Sequence, residues 1–146
     1  MLKVIPLYAA LLALFYLYLS VRTIGVRRNA KISIGDGGDD SMLRAMRMHA
    51  NFAEYAPITL LLLAFVEIQG GPSWMLHTLG ALLLIARLSH AYGISSLEAP
   101  GKFRVAGMAG TFTTIVISAL WLINNYVISV VSQRFSEERE LSRLKF

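Results

Sequence analysis

The sequence contains no cysteine, which excludes a disulfide framework, a thiolate metal site and a protein thiol nucleophile. It also lacks a glycine-rich phosphate loop, the HExxH pattern of zinc proteases and the GxSxG pattern of serine hydrolases. The histidines His49, His77 and His90 share no helix face at ligand spacing, so we predict no metal site. Any sulfur nucleophile must therefore arrive with a cofactor.

Apolar residues are abundant, at 55% of the 146 residues, and the mean hydropathy is +0.56, which is too apolar for a soluble globule. They form four runs, each near the length of about 20 residues that crosses a bilayer. Arg22 ends the first run and no cleavage site follows, so we interpret this run as a retained anchor. We predict an all-α integral membrane protein, a four-transmembrane-helix bundle. Its single domain, 1–146, has helices over about 2–24, 44–68, 73–94 and 103–131 and a tail over 132–146.

Basic residues flank the predicted spans and do not alternate with aromatic residues on a soluble face, so the net charge of +5 does not indicate a nucleic-acid partner. Most of them lie in the first and third connections, whereas the second connection, around 69–73, has none. The positive-inside rule therefore places the first and third connections in the cytoplasm and both termini outside. The GDGGDD segment, 35–40, has the composition of a turn and lacks the closing glutamate of a calcium loop.

Polar residues of the second predicted helix share one face because they are spaced three, four and three apart: Arg44, Arg47, Asn51 and Glu54. His49 lies off this face. The third and fourth helices bring Arg87, His90 and Arg104 to the same leaflet, because consecutive spans are antiparallel. The pattern predicts a cluster of cations around one deep carboxylate.

Two interpretations of this cluster remain open. It could bind a polyanionic or zwitterionic small molecule, with arginines holding carboxylates and Glu54 holding an amine or amide, while an apolar co-substrate arrives through the lipid. Alternatively, Glu54 could pair with Arg87 and pin the bundle, while the outer arginines extend to the headgroups. A transporter half fits less well, because no span is interrupted by glycine or proline at its centre in the way that the broken helices of transporters are. Gly107 and Gly110 more simply indicate close helix packing.

The segment RMHANFAEYAP, 47–57, resembles the second-helix motif of the MAPEG family, the membrane-associated proteins in eicosanoid and glutathione metabolism. ARLSH, 86–90, is similar to the third-helix motif of that family, and Pro100 and Arg104 match its fourth helix. The four-span plan matches as well, so the resemblance covers nearly the whole chain. The short loops are most similar to the small bacterial branch, which implies a bacterial inner membrane with the site facing the cytoplasm.

The resemblance implies a homotrimer that binds glutathione between subunits, together with a lipophilic small molecule and membrane lipid. It assigns Arg104 as the catalytic residue that stabilises the glutathione thiolate. It assigns glutathione contacts to the following positions: Arg47, Asn51, Glu54, Arg87, His90 and Arg27. Arg28 is an alternative to Arg27, because the match at the end of the first helix is loose.

The chain departs from the family at two positions. Val105 follows the catalytic arginine where the prostaglandin E synthase branch has a serine, and Ile94 stands where a tyrosine is expected. The function implied is a glutathione transferase or peroxidase acting on a lipophilic electrophile or a lipid hydroperoxide. The alternative is a non-catalytic membrane trimer whose polar cluster is structural or binds an anionic lipid.

Overall fold

The computed structural model describes residues 2–96 and 98–143, and within these ranges it contains four α-helices and no strand. The helices are α1 (Ile5–Asn29), α2 (Asp40–Ile68), α3 (Ser73–Ile94) and α4 (Gly101–Arg143). The predicted all-α membrane bundle is confirmed, whereas the homotrimer stays a prediction. Residues 144–146 of the predicted tail lie outside the described ranges.

The first two helices extend further toward their connection than the hydropathy pattern predicts. α1 continues to Asn29 instead of ending near 24, and α2 begins at Asp40 instead of near 44. Helix turns beyond the apolar run are polar, so hydropathy does not detect them. Asp39 stabilises the start of α2 by accepting a hydrogen bond from the backbone N–H of Met42 at 2.7 Å.

The GDGGDD segment is the turn that its composition predicts. Gly35, Gly37 and Gly38 have φ angles of 70°, 59° and 75°, which residues with a side chain rarely adopt. Arg27 holds this turn, because its guanidinium donates to the carbonyl of Gly35 at 3.0 Å and to that of Ile32 at 3.4 Å. The connection between α1 and α2 is therefore an ordered structure tied to α1.

Glu67, near the end of α2, caps the beginning of α1. Its carboxylate accepts hydrogen bonds from the backbone N–H groups of Lys3, Val4 and Ile5, the last two at 2.6 and 2.9 Å. The first N–H groups of a helix have no partner within the helix, and a negative charge there also favours the helix dipole. One side chain therefore satisfies three donors and fixes the start of α1 against the end of α2.

Three of the helices, α1, α2 and the 101–139 part of α4, are long and apolar enough to cross a membrane. α3 is shorter and carries His77, Arg87 and His90, and of these Arg87 and His90 are buried in the bundle. Large apolar side chains such as Leu14 of α1 and Leu120 of α4 are more than 60% exposed in the single chain. Such an apolar outer surface is expected where lipid or another membrane protein forms the surroundings.

The backbones of α3 and α4 approach closely at two glycines. A Cβ atom on Gly93 would collide with the backbone of Arg104, and one on Gly107 would lie 2.5 Å from the carbonyl oxygen of Ala86. Gly110 also faces Ala86, with its added Cβ 3.0 Å from the alanine Cβ. The close packing predicted from Gly107 and Gly110 is confirmed, and Gly93 belongs to the same contact.

Substitution of Gly93 by alanine should destabilise the protein by about 1–3 kcal/mol, the usual range for a side chain forced into a packed interior. The new Cβ would displace the beginning of α4, where Arg104 lies. The change is measured by unfolding in detergent, followed by circular dichroism.

Gly25→Ala is the matched control, because nothing lies within 4 Å of its added Cβ. Alanine is favoured over glycine inside a helix by roughly 0.5–1 kcal/mol, so this variant should be as stable as the parent or more so. Equal destabilisation at the two positions would contradict the α3–α4 contact.

Candidate functional site

A buried arginine on α3 joins α2, α3 and α4. The guanidinium of Arg87, which is 2% exposed, donates from Nη1 to the Asn51 side-chain oxygen at 2.9 Å. Its Nη2 donates to the Met108 sulfur at 3.6 Å, and its Cζ lies 6.0 Å from the centre of the Tyr55 ring. Its Nε has no hydrogen-bond partner among the described residues. Arg87 is therefore held by neutral groups.

The predicted alternative in which Glu54 pairs with Arg87 is wrong. Asn51 and Tyr55, four residues apart on one face of α2, both contact Arg87. Glu54 is exposed and forms no ion pair within the described ranges. Its proposed role as a glutathione contact stays a prediction.

An open cavity of about 330 Å³ lies at the end of the bundle formed by the start of α2, the end of α3 and the start of α4. Its lining carries three guanidinium groups, one carboxylate, one amide and one imidazole. The lining residues are Asp40, Leu43, Arg44, Arg47, Asn51, His90, Ile94 and Arg104. An excess of cationic side chains in an open cavity at a helix N-terminus favours an anionic ligand.

Four of the predicted site residues meet in this cavity: Arg47, Asn51, His90 and Arg104. Arg87 lies behind Asn51, in contact with it but outside the lining. Arg27 binds the connection after α1, and no α1 residue lines the cavity of its own chain. Within one chain, therefore, four of the predicted residues line the cavity and Arg87 is buried behind them. Glu54 and Arg27 lie elsewhere.

Packing between α3 and α4 positions Arg104 next to His90. Ser89 donates from its hydroxyl to the Phe103 carbonyl at 2.9 Å, which fastens the first turn of α4 to α3. The Gly93 contact brings the Arg104 backbone against α3, and an added Cβ on Gly107 would lie 2.6 Å from His90. The imidazole of His90 is buried, whereas the side chain of Arg104 is exposed toward the cavity.

Sequence reasoning missed Asp40 as a cavity residue, and it placed Arg44 on the polar face of α2 without counting it among the glutathione contacts. Asp40 belongs to the same helix stripe, because positions 40, 44, 47 and 51 are spaced four, three and four apart. The helical spacing of position 40 is visible in the sequence. Because 35–40 has the composition of a turn, however, Asp40 was assigned to the turn and not to the helix. Arg44 also donates to the Ser96 carbonyl at 3.2 Å and so connects α2 to the end of α3.

His49 lies away from the cavity, as its position off the polar stripe predicts. Its Nε2 is 3.0 Å from the hydroxyl of Ser20 on α1, and its ring stacks on Tyr16 with centroids 4.7 Å apart. His49 therefore helps to pack α1 against α2.

Comparison with known proteins gives two findings. The sequence model of the MAPEG family matches residues 5–124. The chain is also 35% identical over 114 residues to "Inner membrane protein YecN" of Escherichia coli strain K12, covering 78% of this chain and 86% of that protein. The same identity and coverage are found for the protein of that name in Escherichia coli O6:H1.

Replacing Asn51 by leucine should destabilise the protein by about 1.5–3 kcal/mol, the scale of a hydrogen bond to a charged group, because the buried guanidinium of Arg87 would lose its side-chain acceptor. The double variant Asn51→Leu with Arg87→Met should be more stable than Asn51→Leu alone, since it removes the buried charge as well. Unfolding in detergent measures both. A double variant as unstable as the sum of the two single variants would contradict this coupling.

Proposed function

Since the chain belongs to the MAPEG family, we propose that it is a membrane protein that binds glutathione in the cationic cavity and uses its thiolate on a lipophilic substrate. The reaction is conjugation to a lipophilic electrophile or reduction of a lipid hydroperoxide. In the first, the sulfur forms a bond to an electrophilic carbon as the bond from that carbon to a leaving group, or the π bond of an activated alkene, breaks. In the second, two glutathione molecules are oxidised to the disulfide while the O–O bond of the hydroperoxide breaks, and their two protons leave in the alcohol and water that form.

The observation that carries this proposal is the convergence of Arg44, Arg47 and Arg104 on one open cavity. Glutathione has two carboxylates, and a guanidinium group binds a carboxylate through two parallel hydrogen bonds. The amide of Asn51 lines the same cavity and is oriented by Arg87, so it can bond to a peptide group of the ligand. The volume of about 330 Å³ is in the range of small-molecule sites.

Arg104 is the residue proposed to activate the thiol. The side chain is exposed, lines the cavity, and starts from a helix turn fastened to α3. A cation beside the sulfur favours the thiolate and so lowers a thiol pKa that begins near ~8.5. This role does not require the serine that Val105 replaces, because the guanidinium itself supplies the charge.

A homotrimer is part of the proposal and has support from the surface of α2. Glu54 is exposed in the single chain, and Ile58 and Leu61, on the next turns of α2, are 47% and 49% exposed. A carboxylate among apolar side chains is costly against lipid, so a second protein surface is the favourable neighbour. Arg27 does not reach the cavity of its own chain, because its guanidinium is bound to the carbonyls of Ile32 and Gly35.

The protein is proposed to reside in the bacterial inner membrane, as the name of the related Escherichia coli proteins states for them. The cationic cavity lies beside the first and third connections, which hold most of the basic residues. The positive-inside rule therefore favours a site that faces the cytoplasm, the compartment where thiols stay reduced.

A non-catalytic membrane trimer is the second candidate, because several arginines already have structural partners. Arg27 binds Gly35, Arg44 binds Ser96 and Arg87 binds Asn51. In this alternative the cavity holds an anionic lipid headgroup. Saturable binding of glutathione to the detergent-purified protein, measured by calorimetry, separates the two candidates, since only the first requires it.

Arg47→Ala should weaken glutathione binding about tenfold or more, because it removes one charge-assisted hydrogen-bonding group from the cavity. Calorimetry on the detergent-purified protein measures the affinity. Arg134→Ala is the matched control, since Arg134 is exposed on α4 outside the cavity and its loss changes the net charge equally. Equal losses in the two variants would indicate a nonspecific charge effect.

Arg104→Ala should lower kcat/KM for conjugation about a hundredfold or more, the scale for removing one electrostatic stabiliser of a developing or resident anion. The thiolate absorbance of bound glutathione at neutral pH should fall in parallel, because the thiol pKa returns toward its ordinary value. Unchanged conjugation in a well-folded Arg104→Ala protein would show that another residue activates the thiol.

A further inference from the structure

We propose that Asp40 binds the α-ammonium group of the ligand, so that the cavity selects a thiol peptide whose amino-acid end carries both charges. This inference rests on the proposed function and adds a recognition residue to it. It differs from the family expectation, in which Glu54 is the acid of the site.

Asp40 is placed for this role by the way in which α2 begins. Asp39 is the N-cap, and its carboxylate is engaged with the backbone N–H of Met42. Asp40 is the first helical residue, and its side chain is exposed and lines the cavity. Within residues 2–96 and 98–143 its carboxylate has neither a hydrogen-bond nor an ion-pair partner. A free carboxylate therefore faces a cavity that three arginines also line.

The charges of the lining fit a zwitterionic ligand better than a purely anionic one. A ligand that offers only carboxylates would gain from the arginines but would be repelled by Asp40. The amino-acid end of a γ-glutamyl peptide carries an ammonium and a carboxylate on one carbon. Its binding site therefore needs an anionic and a cationic side chain next to each other. Asp40 and Arg44 are four residues apart on one helix face and supply that pair.

Arg44 cannot neutralise Asp40 freely, because its guanidinium donates to the carbonyl of Ser96 at 3.2 Å. This contact holds the guanidinium toward the end of α3 and leaves the carboxylate available. Arg47 and Arg104 then remain for the glycine carboxylate and the sulfur. Each charged group of the cavity has one complementary group on the ligand.

Asp40 and Glu54 are distinct alternatives within one chain. They lie 14 positions apart on α2, which corresponds to roughly 21 Å along the helix axis. One ammonium group cannot contact both, and only Asp40 is among the residues that line the cavity. If Asp40 binds the ammonium, its recognition is lost in Asp40→Asn. If Glu54 binds it, its recognition is lost in Glu54→Gln.

The test compares glutathione with its desamino analogue, glutaryl-cysteinyl-glycine, which keeps both carboxylates and the thiol but lacks the ammonium. Binding of each to the full-length, detergent-purified protein is measured by calorimetry. The parent protein should bind glutathione about two- to fivefold more tightly than the analogue, the scale of one exposed ion pair. Asp40→Asn should weaken glutathione binding by that factor and should leave binding of the analogue unchanged or somewhat tighter, since the repulsion of its carboxylates is removed; either way the preference is lost.

Asp36→Asn is the matched control, because Asp36 lies in the connection just before α2, carries the same charge and does not line the cavity. It should retain the preference. Asp40→Glu should also retain it, which shows that the carboxylate matters and guards against a folding defect in Asp40→Asn. Glu54→Gln should leave the preference intact.

A preference that persists in Asp40→Asn overturns the inference, and its loss in Glu54→Gln instead would assign the ammonium to Glu54. Either result leaves glutathione binding, and with it the proposed function, in place. If the well-folded parent protein binds neither ligand, the proposed function fails first and this inference fails with it.

Discussion

The hydrogen bond between Arg87 and Asn51 is the interaction on which both the bundle and the site depend. A guanidinium in a bundle surrounded by lipid must be buried and must find acceptors, since unpaired charge is costly there. Asn51 supplies the acceptor across 36 positions of sequence, and Tyr55 and Met108 complete the surroundings. Asn51 also lines the cavity. The orientation of α2 about its own axis that lets Asn51 bond to Arg87 therefore also turns Arg44 and Arg47 toward the cavity. Structure and site therefore share one residue.

The cavity is formed by three helices whose relative positions are set by packing contacts. α3 and α4 are held at close distance by small residues, and the Ser89 hydroxyl fixes the first turn of α4. Arg44 adds a contact from α2 to the end of α3. Groups on three separate elements can keep a constant geometry only if the elements themselves are constrained. The backbone that carries the exposed side chain of Arg104 is therefore held in a fixed position against α3.

The membrane character and the four helices could be predicted from the sequence, because bilayer thickness relates hydropathy directly to helix length. The spacing of Arg47, Asn51, His90 and Arg104 was also sufficient to place them at one end of the bundle. Spacing does not give the rotation of one helix against the next, so the pairing of Glu54 with Arg87 was wrong. Contacts between distant positions, such as that of Glu67 with the start of α1, leave no local pattern. Asp40 was missed because its neighbours are turn residues.

The cap that Glu67 provides has a consequence for the biogenesis of the protein. Ile5 and Glu67 are 62 positions apart, so α1 is synthesised and enters the membrane well before the residue that completes it exists. Until the end of α2 is in place, the first N–H groups of α1 lack this acceptor, and the two helices have only the contacts nearer their connection, such as that of His49 with Ser20. The arrival of Glu67 locks the first hairpin in register. Final placement of the first helix is thus a late event that waits for the second.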